Sequence, residues 1–328
     1  MDCRRKLIMT FKDIKGQEKT IELLKGCLQA SGLTGTYLFT GEEGIGKHLV
    51  AQTLAKALNC LNKKDDACDN CPSCLKVEKR GHPDVHFIEP LDSDAIKIEA
   101  VRDLKKKISL KAYEAKTKVF IINDAHKLTA EAANALLKIL EEPLGNSLIM
   151  LISAKPALLF KTIISRCKIV RFYPLKRKQL QEVLENNYSL DDASAHFLAY
   201  FCEGRIGAAL QLKEADILKR KNKIIDEFIS SHRDGQESIL MQNKTAVRLA
   251  LNILVSWARD IYLIRIGTPH AELINLDRKT ELIRVMNRYT LFGLEEMIKT
   301  ISDSLFYLEQ NINMRLLLAN LKAELWKG

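Results

Sequence analysis

The 328-residue sequence predicts an α/β module built on a parallel sheet flanked by helices, followed by a small helical unit and a larger all-helical one. Three observations carry that prediction. The first half alternates short apolar runs of β type with segments of helical periodicity, the pattern of a sheet covered by helices on both faces. A glycine-rich run, Gly41 to His48, stands between one such strand and one such helix. After Pro174 the strand-like runs stop and helical patterns dominate.

The strands expected in order are Tyr37–Thr40, Val85–Ile88, Val119–Ile122, Leu148–Ile152 and Ile169–Val170. Between them Val50, Leu54 and Leu58, and then Leu136, Leu137 and Leu140, recur at helical spacing and read as core stripes. Helical breaks are expected at Gly204–Gly207, Ser230–Gly235 and Gly267–Pro269. The resulting division is an N-terminal extension (1–8), an α/β module (9–174), a three-helix unit (175–213) and a helical domain (214–328). Hydrophobic content of 47% with 28% charged residues suits a globular protein with a substantial core. No run approaches the ~20 apolar residues of a membrane span. The longest, Leu249–Ala258, contains Asn252 and lies between Arg248 and Arg259. Arg4, Arg5 and Lys6 are followed at once by Thr10, Lys12 and Asp13, which is no signal-peptide core, so the expectation is a cytoplasmic protein without a membrane partner. The formal charge of +10 favours an anionic partner such as nucleic acid. The lysines at 105–107, 111, 116 and 118 fit a solvated helix face as well as they fit DNA contacts.

The run Gly41-Glu42-Glu43-Gly44-Ile45-Gly46-Lys47-His48 has the spacing of a phosphate loop. In such a loop backbone N–H groups and a helix N-terminus cradle phosphates, and the lysine reaches the terminal ones. Gly41, Gly44, Gly46 and Lys47 fit that role, for ATP or ADP. His48 does not fit: the position should carry a hydroxyl for Mg²⁺, which demands hard oxygen donors. A hydrolysing P-loop protein also needs an acidic pair at the end of a later strand. The matching strand, Lys118 to His126, ends in Asn123-Asp124, so hydrolysis by this chain is not expected.

Four of eight cysteines, Cys60, Cys68, Cys71 and Cys74, lie within fifteen residues. Without a secretory signal such crowding argues for a metal rather than disulfides. Four thiolates close a tetrahedral structural zinc site; an iron–sulfur cluster and unliganded thiols are the alternatives. His82 and His86 are then not needed as ligands and read as structural.

Several motifs resemble one family closely, the AAA+ subunits of bacterial clamp loaders. They are Phe11 to Gln17 ahead of the P-loop, Tyr37 to Gly41, the four-cysteine insertion (60–74), His82-Pro83-Asp84-Val85 and Ile98-Glu99 with Val101-Arg102. Further on come Asn134 to Pro143, then Thr162 to Cys167 with the Ser-Arg-Cys triplet, and Asn311 to Leu316. The resemblance implies an AAA+ module with a zinc insertion, a lid (175–213) and a collar (214–328). It implies a hetero-pentamer with gamma/tau ATPase subunits, a delta subunit, a sliding clamp and primed DNA.

Five departures imply the family's non-hydrolysing subunit rather than a gamma-type ATPase. They are His48, Asn123-Asp124, Ser153-Ala154-Lys155-Pro156 where a polar sensor residue is expected, Arg205 two places before the expected arginine position near Gly207, and an end at Gly328 without a tau-like extension. A drifted gamma-like ATPase and a stand-alone AAA+ adaptor are the rival readings. Bottom-up, Arg166 reads as a surface arginine in an ordinary ion pair. The resemblance instead makes it a finger reaching a neighbouring subunit's ATP site.

Overall fold

The expected β runs form one sheet in the computed structural model, which describes residues 10–30, 33–63, 65–90, 95–141, 145–214, 217–230, 243–310, 317 and 321. The expected extension 1–8 and the motif Asn311–Leu316 lie outside the described residues. The chain divides into two compact units, Met1–Leu175 with Arg205–Gly207, and Lys176–Gly204 with Ala208–Gly328.

In the first unit a 3₁₀ turn (Phe11–Asp13) leads into α1 (Glu18–Ala30), β1 (Gly35–Thr40) and α2 (Lys47–Asn59). Then follow α3 (Pro72–Glu78), β2 (Val85–Ile88), α4 (Ile98–Ser109), β3 (Lys118–Ile122), α5 (Ala130–Glu141), β4 (Ser147–Ser153), α6 (Lys161–Ile164) and β5 (Lys168–Arg171). The order β2-β3-β4-β1-β5 is parallel throughout. Every residue of β3 and β4 is buried, as expected of central strands covered on both faces. The two-residue side-chain period splits the core. Phe39, Val119, Ile121, Leu148 and Met150 share one face with Val50 and Leu54 of α2. Leu38, Phe120, Ile122, Ile149 and Leu151 share the other with Leu104 of α4 and Leu136 of α5. The edge strands β2 and β5 have four residues each, leaving little open backbone.

The second unit holds no strand among its described residues. It contains α7 (Arg177–Tyr188), α8 (Asp192–Phe201), α9 (Ile206–Glu214), α10 (Ile217–Ser230), α11 (Lys244–Arg265), α12 (Lys279–Val285) and α13 (Leu291–Glu309), the first residues of α9 grouping with the first unit. Side chains of Asp191, Asn243 and Thr290 accept backbone N–H bonds at the starts of α8, α11 and α13. Trp257, Ile261, Leu294 and Ile301 fill the packing around α11 and α13. No described helix is long and apolar enough to cross a membrane.

Candidate nucleotide, metal and arginine sites

The turn from β1 into α2 depends on left-handed backbone at Gly41, Gly44 and Gly46 (φ +144°, +80° and +95°). At Gly41 a Cβ would meet the Phe172 carbonyl oxygen at 2.6 Å, so only glycine fits. The entry motif braces this loop: Gln17 Nε2 donates to the carbonyls of Ile45 (3.3 Å) and Tyr173 (2.7 Å).

Lys47 is 6% exposed, and its ammonium donates to the Gly41 carbonyl at 2.7 Å and to the Glu42 carbonyl. Burial pulls its pKa down to about 8, against the nearby charges of Glu43, Asp124 and Glu42. The loop's backbone thus has the form of a phosphate cradle, with its lysine turned onto the loop itself.

Beside the loop, His48 packs against β2 and the residue that follows it. The His48 ring lies 6.0 Å from the Phe87 ring, with Nε2 3.6 Å from Glu89 Oε1. Arg80 binds Glu89 through two 2.9 Å hydrogen bonds and stacks over Phe87 at 4.9 Å. Burial and then the Arg80 charge lower the His48 pKa, favouring a neutral imidazole where a hydroxyl is needed. Asn123 N–H donates to the Ile88 carbonyl, and Asp124 has left-handed backbone (φ +48°) with its carboxylate 4.0 Å from Lys127. Ser153 Oγ lies 3.3 Å from His126 Nδ1 and accepts the Lys155 N–H. Arg80 and Glu89 carry no motif and escaped sequence reasoning.

Gly207 N–H donates to the Gly44 carbonyl at 2.7 Å, and a Cβ at Gly207 would meet that oxygen at 2.8 Å. This approach admits no side chain at Gly207. Arg205 instead places Nε 3.8 Å from Glu42 Oε2.

Cys60, Cys68, Cys71 and Cys74 converge, their sulfurs all within 4.8 Å of one another. Pro72 starts α3 and Cys71 caps it, which turns Cys71 and Cys74 to one side. Zn–S bonds of about 2.3 Å in a tetrahedron require sulfurs about 3.8 Å apart, which this cluster accommodates. Donors suited to thiolates surround it: the N–H groups of Lys63, Cys71 and Cys74 reach Cys60, Cys68 and Cys71 at 3.3–3.5 Å. The donor set therefore fits a metal ion.

The basic segment departs from both readings made of it at one lysine, Lys118. Lys116 Nζ donates to the Cys60 carbonyl at 2.8 Å. Lys118 is buried and caps the C-terminal end of α4 by donating to the carbonyls of Lys107, Ile108 and Leu110. Lys116 remains exposed, so it is Lys118 that leaves the solvated face. His82 is structural, its Nδ1 accepting the Asp84 N–H, and Asp84 gathers the N–H groups of Tyr113, Glu114 and Ala115.

Arg166 leaves the turn after α6 and is 36% exposed. One terminal nitrogen contacts Glu141 Oε1 at 2.7 Å and the other donates to the Thr162 carbonyl at 3.0 Å. Its neighbours shape the turn: Ser165 Oγ bonds the Thr162 carbonyl, and Cys167 Sγ bonds the Ile163 carbonyl. Burial raises the Cys167 pKa to about 12, which favours the neutral thiol.

The family described as DNA polymerase III, delta subunit, matches residues 16–176. Over 324 residues the chain is 30% identical to DNA polymerase III subunit delta' of Bacillus subtilis, covering 95% of this chain and 97% of that protein. The chain belongs to the delta' family of clamp-loader subunits. The delta' subunit of Haemophilus influenzae is 27% identical over 85% of this chain and 87% of its own length. The tau subunit of Escherichia coli is 31% identical over 68% of this chain, but only 35% of that longer protein is covered. Among solved structures, a gamma-subunit-related protein of Thermotoga maritima aligns over 93% of this chain and 97% of its own, with TM-score 0.49 and 18% identity. For this delta' family member a part in DNA replication with DNA polymerase III follows.

Proposed function

We propose that this chain is a non-hydrolysing subunit of a hetero-pentameric clamp loader that works in trans. Gamma/tau ATPase subunits and a delta subunit are its partners, and the assembly opens a sliding clamp and places it on primed DNA. Helices α7, α8 and α9 serve as the lid (175–213) and the remainder (214–328) as the collar that holds the subunit in the ring. Any ATP or ADP in its own P-loop is held, because His48 with Arg80 and Glu89 occupies the metal side and Asn123 offers no charged ligand. Zn²⁺ on Cys60, Cys68, Cys71 and Cys74 contributes folding free energy and no chemistry. The location is cytoplasmic, where replication takes place.

The observation that carries the trans role is the pose of Arg166, a permanently charged guanidinium partly open to solvent and held at a defined turn. A planar fork of this kind bridges phosphoryl oxygens as charge develops, in a neighbour that supplies its own P-loop and Mg²⁺. The test is pre-steady-state ATP hydrolysis and clamp loading by reconstituted loader carrying Arg166→Ala. The variant is expected to assemble with full zinc and slow hydrolysis at the one site facing it by about 10³. Bulk hydrolysis falls by a smaller factor, since other sites are untouched. Arg166→Lys rescues little, because a single ammonium cannot reproduce the fork. Arg171→Ala behaves as wild type. Wild-type hydrolysis and loading by Arg166→Ala defeat the proposal.

A further inference from the structure

Glu141, at the last turn of α5, has no part in the reading above, yet it is the residue that grips Arg166. A guanidinium has five N–H donors. One on each terminal nitrogen is engaged, by Glu141 Oε1 at 2.7 Å and by the Thr162 carbonyl at 3.0 Å. Among the described residues the Nε–H and one N–H on each terminal nitrogen have no acceptor and remain for an outside one. The two anchors are of different kinds. Thr162 belongs to the backbone of α6 and cannot be lost by substitution, whereas Glu141 is a side chain on the neighbouring helix, itself 51% exposed.

We infer that Glu141 is the positioning residue of the finger: it fixes the plane of the Arg166 guanidinium before a neighbouring subunit's phosphates arrive. The inference rests on the trans role proposed for Arg166. An arginine side chain left free must surrender its rotamer freedom when it docks, and a tether that leaves the outward donors open removes part of that loss in advance. The carboxylate also suits the task because a charge-assisted bond is stronger than a neutral one and its geometry matches the fork. Glu141 acts through Arg166 and need not touch the nucleotide, so its effect falls on the rate of the chemical step rather than on ATP affinity.

The experiment is a double-mutant cycle in the reconstituted loader, with Glu141→Ala, Glu141→Gln, Arg166→Ala and the Glu141→Ala/Arg166→Ala pair. The burst of ATP hydrolysis and the KM for ATP are measured for each. The component that Arg166→Ala slows identifies the site served by this subunit. Glu141→Ala is expected to slow that same component, by about tenfold if misplacement of the fork is partial, with KM unchanged. Glu141→Gln keeps an oxygen acceptor without its charge and falls between Glu141→Ala and wild type. The double variant matches Arg166→Ala alone. If Arg166→Ala changes nothing, the trans role itself fails. If Arg166→Ala slows the component while Glu141→Ala leaves it unchanged or accelerates it, the positioning role is overturned and the trans role stands. An additional slowing in the double variant also overturns it, because Glu141 would then act independently of Arg166. Zinc content and loader assembly confirm that every variant is folded, and Glu141→Gln carries the test should Glu141→Ala assemble poorly.

Discussion

Among the described residues four lysines are almost wholly buried, and their ammonium groups are satisfied by different kinds of partner. Lys56 is bound by Asp69 at 2.9 Å and by Glu78; burial opposes its charge, but those bonds prevail and raise its pKa. Lys118 closes the carbonyl end of a helix. Lys221, fully buried, lies over the Phe197 ring at 4.6 Å and holds both oxygens of Asp277 at 2.6 Å. Removing one partner of a buried pair leaves an uncompensated charge, so Asp277→Ala is expected to cost about 3–5 kcal/mol by denaturant unfolding. A cost below ~1 kcal/mol, the range of exposed pairs, would contradict this. Lys47, like Lys118, has only uncharged carbonyl partners, and burial brings its pKa from 10.5 to about 8. The sign of the linkage follows. Between about pH 8 and 10.5 the unfolded chain binds more protons at Lys47 than the folded one, so stability rises with pH across that window. The penalty is fully present below about 8 and is relieved towards 10.5. Comparison with Lys47→Met removes every other titrating group from the difference. Wild type is expected to gain on the order of 2–3 kcal/mol relative to Lys47→Met between pH 7 and pH 10.5. A constant difference across that range would show that the ammonium is not desolvated.

At the scale of an element, the cysteine insertion ties together parts of the first unit that are distant in sequence. Asp66 accepts the N–H of Phe11 at 3.0 Å, and Lys25 of α1 lies 3.9 Å from the same carboxylate. Asn59, at the end of α2, accepts the N–H groups of Lys116 and Thr117 and donates to the Thr117 carbonyl. Lys116 reaches back to Cys60. The insertion is therefore a junction of the entry motif, α1, α2 and the segment before β3. Metal removal by a chelator, or Cys71→Ser, is expected to lower zinc from one per chain and reduce thermal stability. It should also raise amide exchange beyond the insertion itself, at Phe11 and across 113–117, while α11 and α13 stay protected. Elemental analysis with hydrogen exchange decides it: unchanged exchange at Phe11 and 113–117 would show that the junction does not depend on the metal.

At the scale of the whole molecule, what was legible in the sequence is what recurs at a fixed spacing. All five strands were legible because central parallel strands are uninterrupted apolar runs, and the four cysteines because tetrahedral thiolates need close spacing. The Arg80–Glu89 pair was not legible, since nine residues of separation with a strand between them follow no periodic rule. Nor was the Glu141 contact with Arg166, which joins two motifs through tertiary packing alone. The role of Lys118 was misread for a related reason: a lysine cluster looks alike whether its ammonium groups face solvent or helix carbonyls. These unseen contacts bear on what the isolated chain can do. The sequence reading places His48 where a Mg²⁺-binding hydroxyl is expected, which a single substitution would restore. In the structure the same niche also holds Phe87 and the Arg80–Glu89 pair, while Gly207 bonds the Gly44 carbonyl. Repair would then need more than the metal ligands. The purified chain is expected to hydrolyse no ATP above background, with primed DNA and clamp present or absent. A variant combining His48→Thr, Asn123→Asp and Asp124→Glu should remain inactive, because Arg80 and Glu89 still pack beside position 48 and no side chain fits at Gly207 without displacing the Gly44 carbonyl. Steady-state phosphate release from both proteins is the measurement, with Lys47→Ala as the control for a contaminating ATPase. Turnover by the triple variant that Lys47→Ala abolishes would show that the metal ligands alone were missing and that the surrounding contacts are no barrier.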